Sequence, residues 1–98
     1  MIIIMTSRPE QMQKIQSECL ELFKKKNQDY GDAFADFGTI GVLVRINDKI
    51  RRSINLTNNG ITCINTESLR DTLLDLHNYA AMAVMLMDES KPIKEEYD

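Results

Sequence analysis

The stretch AAMAVMLM, residues 80–87, constrains this chain more than any other. It continues a segment that is amphipathic up to Tyr79, and from Ala80 onward it is apolar on every side. A helix without a polar face must be covered all round. With 98 residues the chain is limited to one domain of modest core. Two further helices could hardly enclose such a segment, so the pattern predicts a homo-oligomer, dimer or higher, packed through Ala80–Met87. A crowded monomer core is the alternative.

Two other helices are legible. Ser7, Pro9 and Glu10 form a capping-box start, followed by Met12, Ile15, Cys19, Leu22 and Phe23 at helical spacing. This predicts a first helix from about 8 to 27, stopping before Gly31. A second is expected over about 39–55, with Leu43, Ile46, Ile50 and Ile54 as its inner stripe. A third, capped by Asn65 or Thr66, is expected over about 67–88. Gly31, Gly38 and Gly41 mark 28–38 as an ordered loop or short helical turn, and Asn58-Asn59-Gly60 with ITCI (61–64) as an irregular or extended piece near 55–66. The expected fold is all-α: three main helices per chain in an oligomeric bundle, with domain 1–88 and a disordered acidic tail 89–98.

Charge and cysteine content narrow the function. A formal net charge of −3 argues against a general nucleic-acid binder, although a local cationic pocket could still take a phosphorylated ligand. One histidine and two separated cysteines make a zinc site improbable and fit a reducing compartment. The apolar opening MIIIM is too short for a signal core or a membrane span. A cytoplasmic protein without membrane contact is expected, in the host cytoplasm if the source is viral.

Candidate chemistry lies on all three helices. Glu67, Asp71, Asp75 and Asn78 form one stripe, away from the face Leu69, Leu73, Leu76 and Ala80. Like charges four residues apart repel, so a cation from elsewhere should sit against Asp75. That cation is either a Lys or Arg of the second helix or a divalent metal; oxygen donors of this kind suit Mg²⁺ or Mn²⁺. Glu18 and Glu21 on the first helix could join Asp71 and Asp75 around such a metal, with Glu21 and Asp75 as catalytic carboxylates. A solvated acidic face is the plain alternative. Arg45, Lys49 and Arg52 surround Asp48, leaving surplus cations for phosphate beyond the intrahelical ion pairs. His77 and Cys19 read as packing residues.

KKKNQDYGDAFADFG, residues 24–38, puts cations, carboxylates and aromatics at one helix end. Lys26 supplies charge there. Asp29 and Asp32 could bind sugar hydroxyls or metal, and Tyr30, Phe34 and Phe37 could stack on a base. Otherwise the aromatics plug the bundle end.

KKNQDYGDAF, RINDKIRR and ESLRDTLLDLHNYA, in that order, resemble the first nucleotide-modification-associated domain family, small helical proteins common in phages and bacteria. The resemblance spans most of residues 18–83 and implies nucleotide association. More distantly the chain is similar to MazG-like all-α nucleotide pyrophosphohydrolases, in which a Glu-x-x-Glu and a later Glu-x-x-Asp bind Mg²⁺. Glu18 and Glu21 match the first pair and Asp75 the final Asp. Thr72 stands where that pattern has Glu, with Asp71 one residue earlier. The leading expectation is a Mg²⁺-dependent hydrolase converting a nucleoside triphosphate to monophosphate and pyrophosphate. The alternative is sequestration without turnover of a nucleotide signal, such as a cyclic dinucleotide or an ADP-ribose derivative, in inter-subunit pockets.

Overall fold

The computed structural model describes residues 7–58 and 66–90; side chains are described except for those of residues 56–58 and 66–68. It contains three α-helices, α1 (Arg8–Tyr30), α2 (Gly38–Asn58) and α3 (Thr66–Glu89), with one 3₁₀ turn at Ala33–Ala35 between α1 and α2. The chain is all-α, as its periodicity predicts. The extended piece expected at 61–64, the Asn65 cap and the tail from Lys91 lie outside the described residues.

Helix α1 starts as its sequence dictates. The Glu10 amide donates to Ser7 Oγ at 3.2 Å, and the Ser7 amide donates to Glu10 Oε1 at 3.2 Å, so the capping box is closed in both directions. Its end corrects the expected boundary: residues 28–30 are helical rather than loop. Gly31 adopts φ +60° and donates its amide to the Asn27 carbonyl at 2.7 Å. A side chain rarely tolerates that conformation, so the helix runs until a glycine permits the exit. Gly38, at φ +65°, plays the same part on the other side of the 3₁₀ turn.

Helix α3 is the middle element. One side meets α2 in a cluster of Val42, Met82 and Ala83, with Phe23, Phe34, Ile46, Tyr79 and Leu86 packed around it. Another side meets α1 at Cys19, Leu74 and Asn78. Two sequence expectations change as a result. The face of α2 turned toward α3 carries Val42, Ile46, Lys49 and Ser53, whereas Leu43, Ile50 and Ile54 stay largely exposed. The polar side of α3 is not an outer stripe either: Asn78 is only 7% exposed, while Leu73 and Ala80 of the expected inner face are open. Both shifts follow from α3 having neighbours on two sides rather than one. Of the segment 80–87, Met82 and Ala83 are buried within the chain, while Val84, Met85 and Met87 remain exposed.

No described helix is long and apolar enough to cross a membrane.

Candidate functional site

The extension of α1 to Tyr30 builds the site. Phe23, Lys26, Asn27 and Tyr30 are spaced i, i+3, i+4 and i+7, so they share one face of the last two turns of α1. That face looks across the 3₁₀ turn to the start of α2. Together they enclose a cleft of about 610 Å³, within the range of small-molecule sites. Phe34 and Phe37 from the turn, Tyr79 from α3 and Arg45 from α2 complete its walls.

Aromatic rings dominate these walls. Phe23 and Phe34 meet edge to face, with centroids 6.2 Å apart and planes at 72°. Such a contact fixes the Phe34 ring and leaves its remaining surface toward the cavity. Phe37 is 84% exposed at the rim. Beneath it, a Cβ built on Gly41 would lie 2.6 Å from the Phe37 Cβ, so only glycine admits this close approach.

Polar groups in the cleft are few and placed. Lys26 and Arg45 bring positive charge, and Asp36 a carboxylate. Asn27 Oδ1 is buried without a hydrogen-bond partner, although the residue lines the cleft. An orphaned acceptor costs free energy unless a ligand or water supplies a donor.

Lys26 also ties the cleft to α3. Its Nζ donates to Asp75 Oδ1 at 3.0 Å, and Lys49 Nζ lies 3.3 Å from Asp75 Oδ2. The Asp75 side chain is 16% exposed, so this three-member ion network is shielded on the carboxylate side. The cation expected against Asp75 is therefore present twice over, once from α2 and once from α1.

The remaining expected carboxylates are dispersed. Glu18 accepts two hydrogen bonds from the Arg70 guanidinium, both 2.6 Å. Those bonds are the main reason its carboxyl sits below the usual range, and they raise Arg70 in return. Glu21 pairs with Lys24 at 3.0 Å on the exposed side of α1. Asp71 is exposed. Among the described residues no three His, Cys, Asp or Glu side chains form a group able to hold a metal ion. The donor set Glu18, Glu21, Asp71 and Asp75 thus does not fit a shared Mg²⁺ within this chain, and the Glu67 side chain lies outside the described residues.

Of the ligand residues expected from sequence, the cleft gathers Lys26, Tyr30, Phe34 and Arg45. Asp29, Asp32 and Arg52 are exposed outside its lining, and Lys49 reaches it only through Asp75. Asn78 serves the fold: its Nδ2 donates to the Cys19 carbonyl at 3.0 Å, while Oδ1 lies 3.0 Å from His77 Nδ1. Sequence reading missed Phe23, Asn27, Asp36 and Tyr79 as cleft residues. The i, i+4 spacing of Phe23 and Asn27 carried the signal for Asn27, but only once α1 is continued past it.

The chain matches no curated protein and no solved structure. A family model described as nucleotide modification associated domain 1 matches residues 26–87, from the cleft lysine to the end of the α3 apolar run. That span is well over half of the chain, and the protein belongs to the nucleotide modification associated domain 1 family.

Proposed function

We propose that the protein binds a small nucleotide in the aromatic cleft and holds it without turnover. The carrying observation is the juxtaposition of five aromatic side chains, Phe23, Tyr30, Phe34, Phe37 and Tyr79, with two cations, Lys26 and Arg45, around one cavity. A base offers a π-face for stacking on Phe34 and Phe37, worth about 1–3 kcal/mol per stacked base. Arg45 forks onto phosphate oxygens, and Lys26 adds a point charge beside it. Asn27 Oδ1 accepts from an exocyclic amine or a sugar hydroxyl, which satisfies the buried acceptor. The family's association with nucleotides agrees with this reading.

Sequestration is favoured over hydrolysis by what the carboxylates do. Asp75 is neutralised by two lysines and Glu18 by an arginine, so the metal-ligand set is engaged elsewhere. Mg²⁺-dependent cleavage to monophosphate and pyrophosphate is the second reading. The exposure of Glu18, Glu21 and Asp71 favours it, since exposed ion pairs cost little to break.

A panel of nucleoside triphosphates, cyclic dinucleotides and ADP-ribose, incubated with the purified protein and Mg²⁺ and resolved by anion exchange, separates the two. The expected result is one ligand class removed from free solution and returned unchanged after heat denaturation. Asp75→Asn should retain or strengthen that binding, because it frees Lys26 for phosphate. Monophosphate and pyrophosphate produced by the wild type and lost in Asp75→Asn would establish the hydrolase instead.

A further inference from the structure

The α2 wall of the cleft presents its groups in a set order. Phe37, immediately before α2, and Gly41 and Arg45 within it are spaced four apart, so they form one stripe. About 12 Å of helix rise separates the ring position from the guanidinium position. Asp36 stands next to Phe37 at the ring end, and Gly41, between the two ends, adds no side chain.

Neither end is neutralised within the chain. The Asp36 carboxylate and the Arg45 guanidinium make no hydrogen bond or ion pair with any described residue. Opposite charges that line one cleft and stay apart are satisfied together by a ligand with donors at one end and an anion at the other. Asn27 Oδ1, on the facing wall of α1, is a second acceptor in want of a donor. A nucleotide has that order of parts: donors on the edge of an amino-bearing base, a ring face for stacking, a sugar and a phosphate.

The cationic end matches only about one negative charge. Lys26 is already shared with Asp75, which Lys49 also meets. Counting Lys26, Lys49 and Arg45 against Asp36 and Asp75, the cleft and its ion network hold one net positive charge. The next charges along the chain add nothing to it: Lys24 is paired with Glu21, and Lys25 is outnumbered by Asp29, Asp32 and Asp48. A phosphodiester carries a single negative charge, whereas a terminal phosphate carries about 1.5–2. Every further phosphate of a polyphosphate finds no free cation and meets the carboxylates instead.

We infer that the cleft selects a phosphodiester nucleotide with an amino-bearing base, the diester on Arg45 and the base edge at Asp36 and Asn27. This rests on the nucleotide reading above and narrows it, since triphosphates carry charge that the cleft does not match. Asp36 is the specificity residue: it accepts from the base and repels surplus phosphate.

Isothermal titration of the wild type, with EDTA present to prevent metal-dependent cleavage, tests the inference. The probes are the 3′,5′-cyclic monophosphates of adenosine, guanosine and cytidine, the linear dinucleotides ApA, GpG and CpC, and ATP, GTP and CTP. For at least one base, a diester should bind at least 10-fold tighter than the triphosphate, and the cyclic and linear arms tell which source fits. The hypoxanthine or uracil counterpart of that diester, which lacks the amino group, should bind at least 5-fold more weakly. Asp36→Asn, at an exposed position, should cut the preference for diester over triphosphate at least 3-fold. Triphosphates that bind as tightly as their diesters would overturn the inference and leave the nucleotide reading standing. A preference unchanged in a folded Asp36→Asn would do the same. If no nucleotide binds, both readings fall. If Asp36→Asn loses its helical circular dichroism, the wild-type ratio of diester to triphosphate affinity decides alone.

Discussion

The two junctions that α3 makes are built from different materials. Toward α2 it presents mainly methyl and ring surfaces, Met82, Ala83, Tyr79 and Leu86 against Val42, Ile46 and Phe34, with the Asp75–Lys49 ion pair beside them. Toward α1 it presents directional groups, with the Arg70 fork on Glu18, the Asn78 amide on the Cys19 carbonyl and Asp75 on Lys26. Apolar packing holds elements together with little regard to register, whereas hydrogen bonds hold one geometry. The α2–α3 junction therefore supplies cohesion. The α1–α3 junction fixes where the last turns of α1 sit, and those turns carry the cleft's Lys26, Asn27 and Tyr30.

The largest effect should come from breaking cohesion. Met82→Ala empties the centre of the α2–α3 cluster and should cost about 2–5 kcal/mol. Urea denaturation monitored by circular dichroism reads that loss, and in a core this small it lowers the midpoint of the whole chain. Asn78→Ala should cost less, about 0.5–1.5 kcal/mol, because it removes the amide bond to the Cys19 carbonyl, which keeps its own helical partner. The same melts would show it, and nucleotide binding should fall with it as α1 loses its register.

Gly41→Ala sharpens the contrast from the cleft side. Its new Cβ meets the Phe37 Cβ, which is fixed close to the backbone and cannot swing aside. The Phe37 wall must shift, so nucleotide affinity should drop by more than stability does, as calorimetric titration against thermal melts would show. The smallest effect is on the exposed ion pair. The Arg70 hydrogen bonds hold the Glu18 carboxyl below the ordinary glutamate value of about 4.3. Its contribution is therefore present above that value and fades as pH falls through the depressed folded pKa. A Tm titrated from pH 6 downward should lose more in the wild type than in Glu18→Gln, with the difference developing below about pH 4.5.

How much of this was legible depends on what each residue faces. The capping box of Ser7 and Glu10 needs only local geometry, and it reads directly from the chain. The same is true of three helices with three apolar stripes. The inner face of α2 was not legible, because its apolar residues cover an arc wider than one neighbour can bury. Periodicity cannot say which part of that arc meets α3. Lys49 hid the answer further, being a cation on the packed side, where it meets Asp75. Asp75 and Asn78 looked like a solvent stripe because a polar junction has the same composition as a wet surface. The aromatic cleft was half legible: its residue types stood out in 24–38, but the continuation of α1 to Tyr30 set which of them converge.

Cys19 turns the α1–α3 junction into a clock. It is fully buried, and burial pushes its thiol above the ordinary range, so an alkylating reagent finds neither access nor thiolate while α1 is seated. In a Cys63→Ser background, the rate at which Cys19 is labelled reports how often α1 lifts from α3. A nucleotide that grips Lys26 and Asn27 pins α1 at its end. Its binding should be readable as slower labelling of a sulfur about two helical turns away, with no label on the ligand itself.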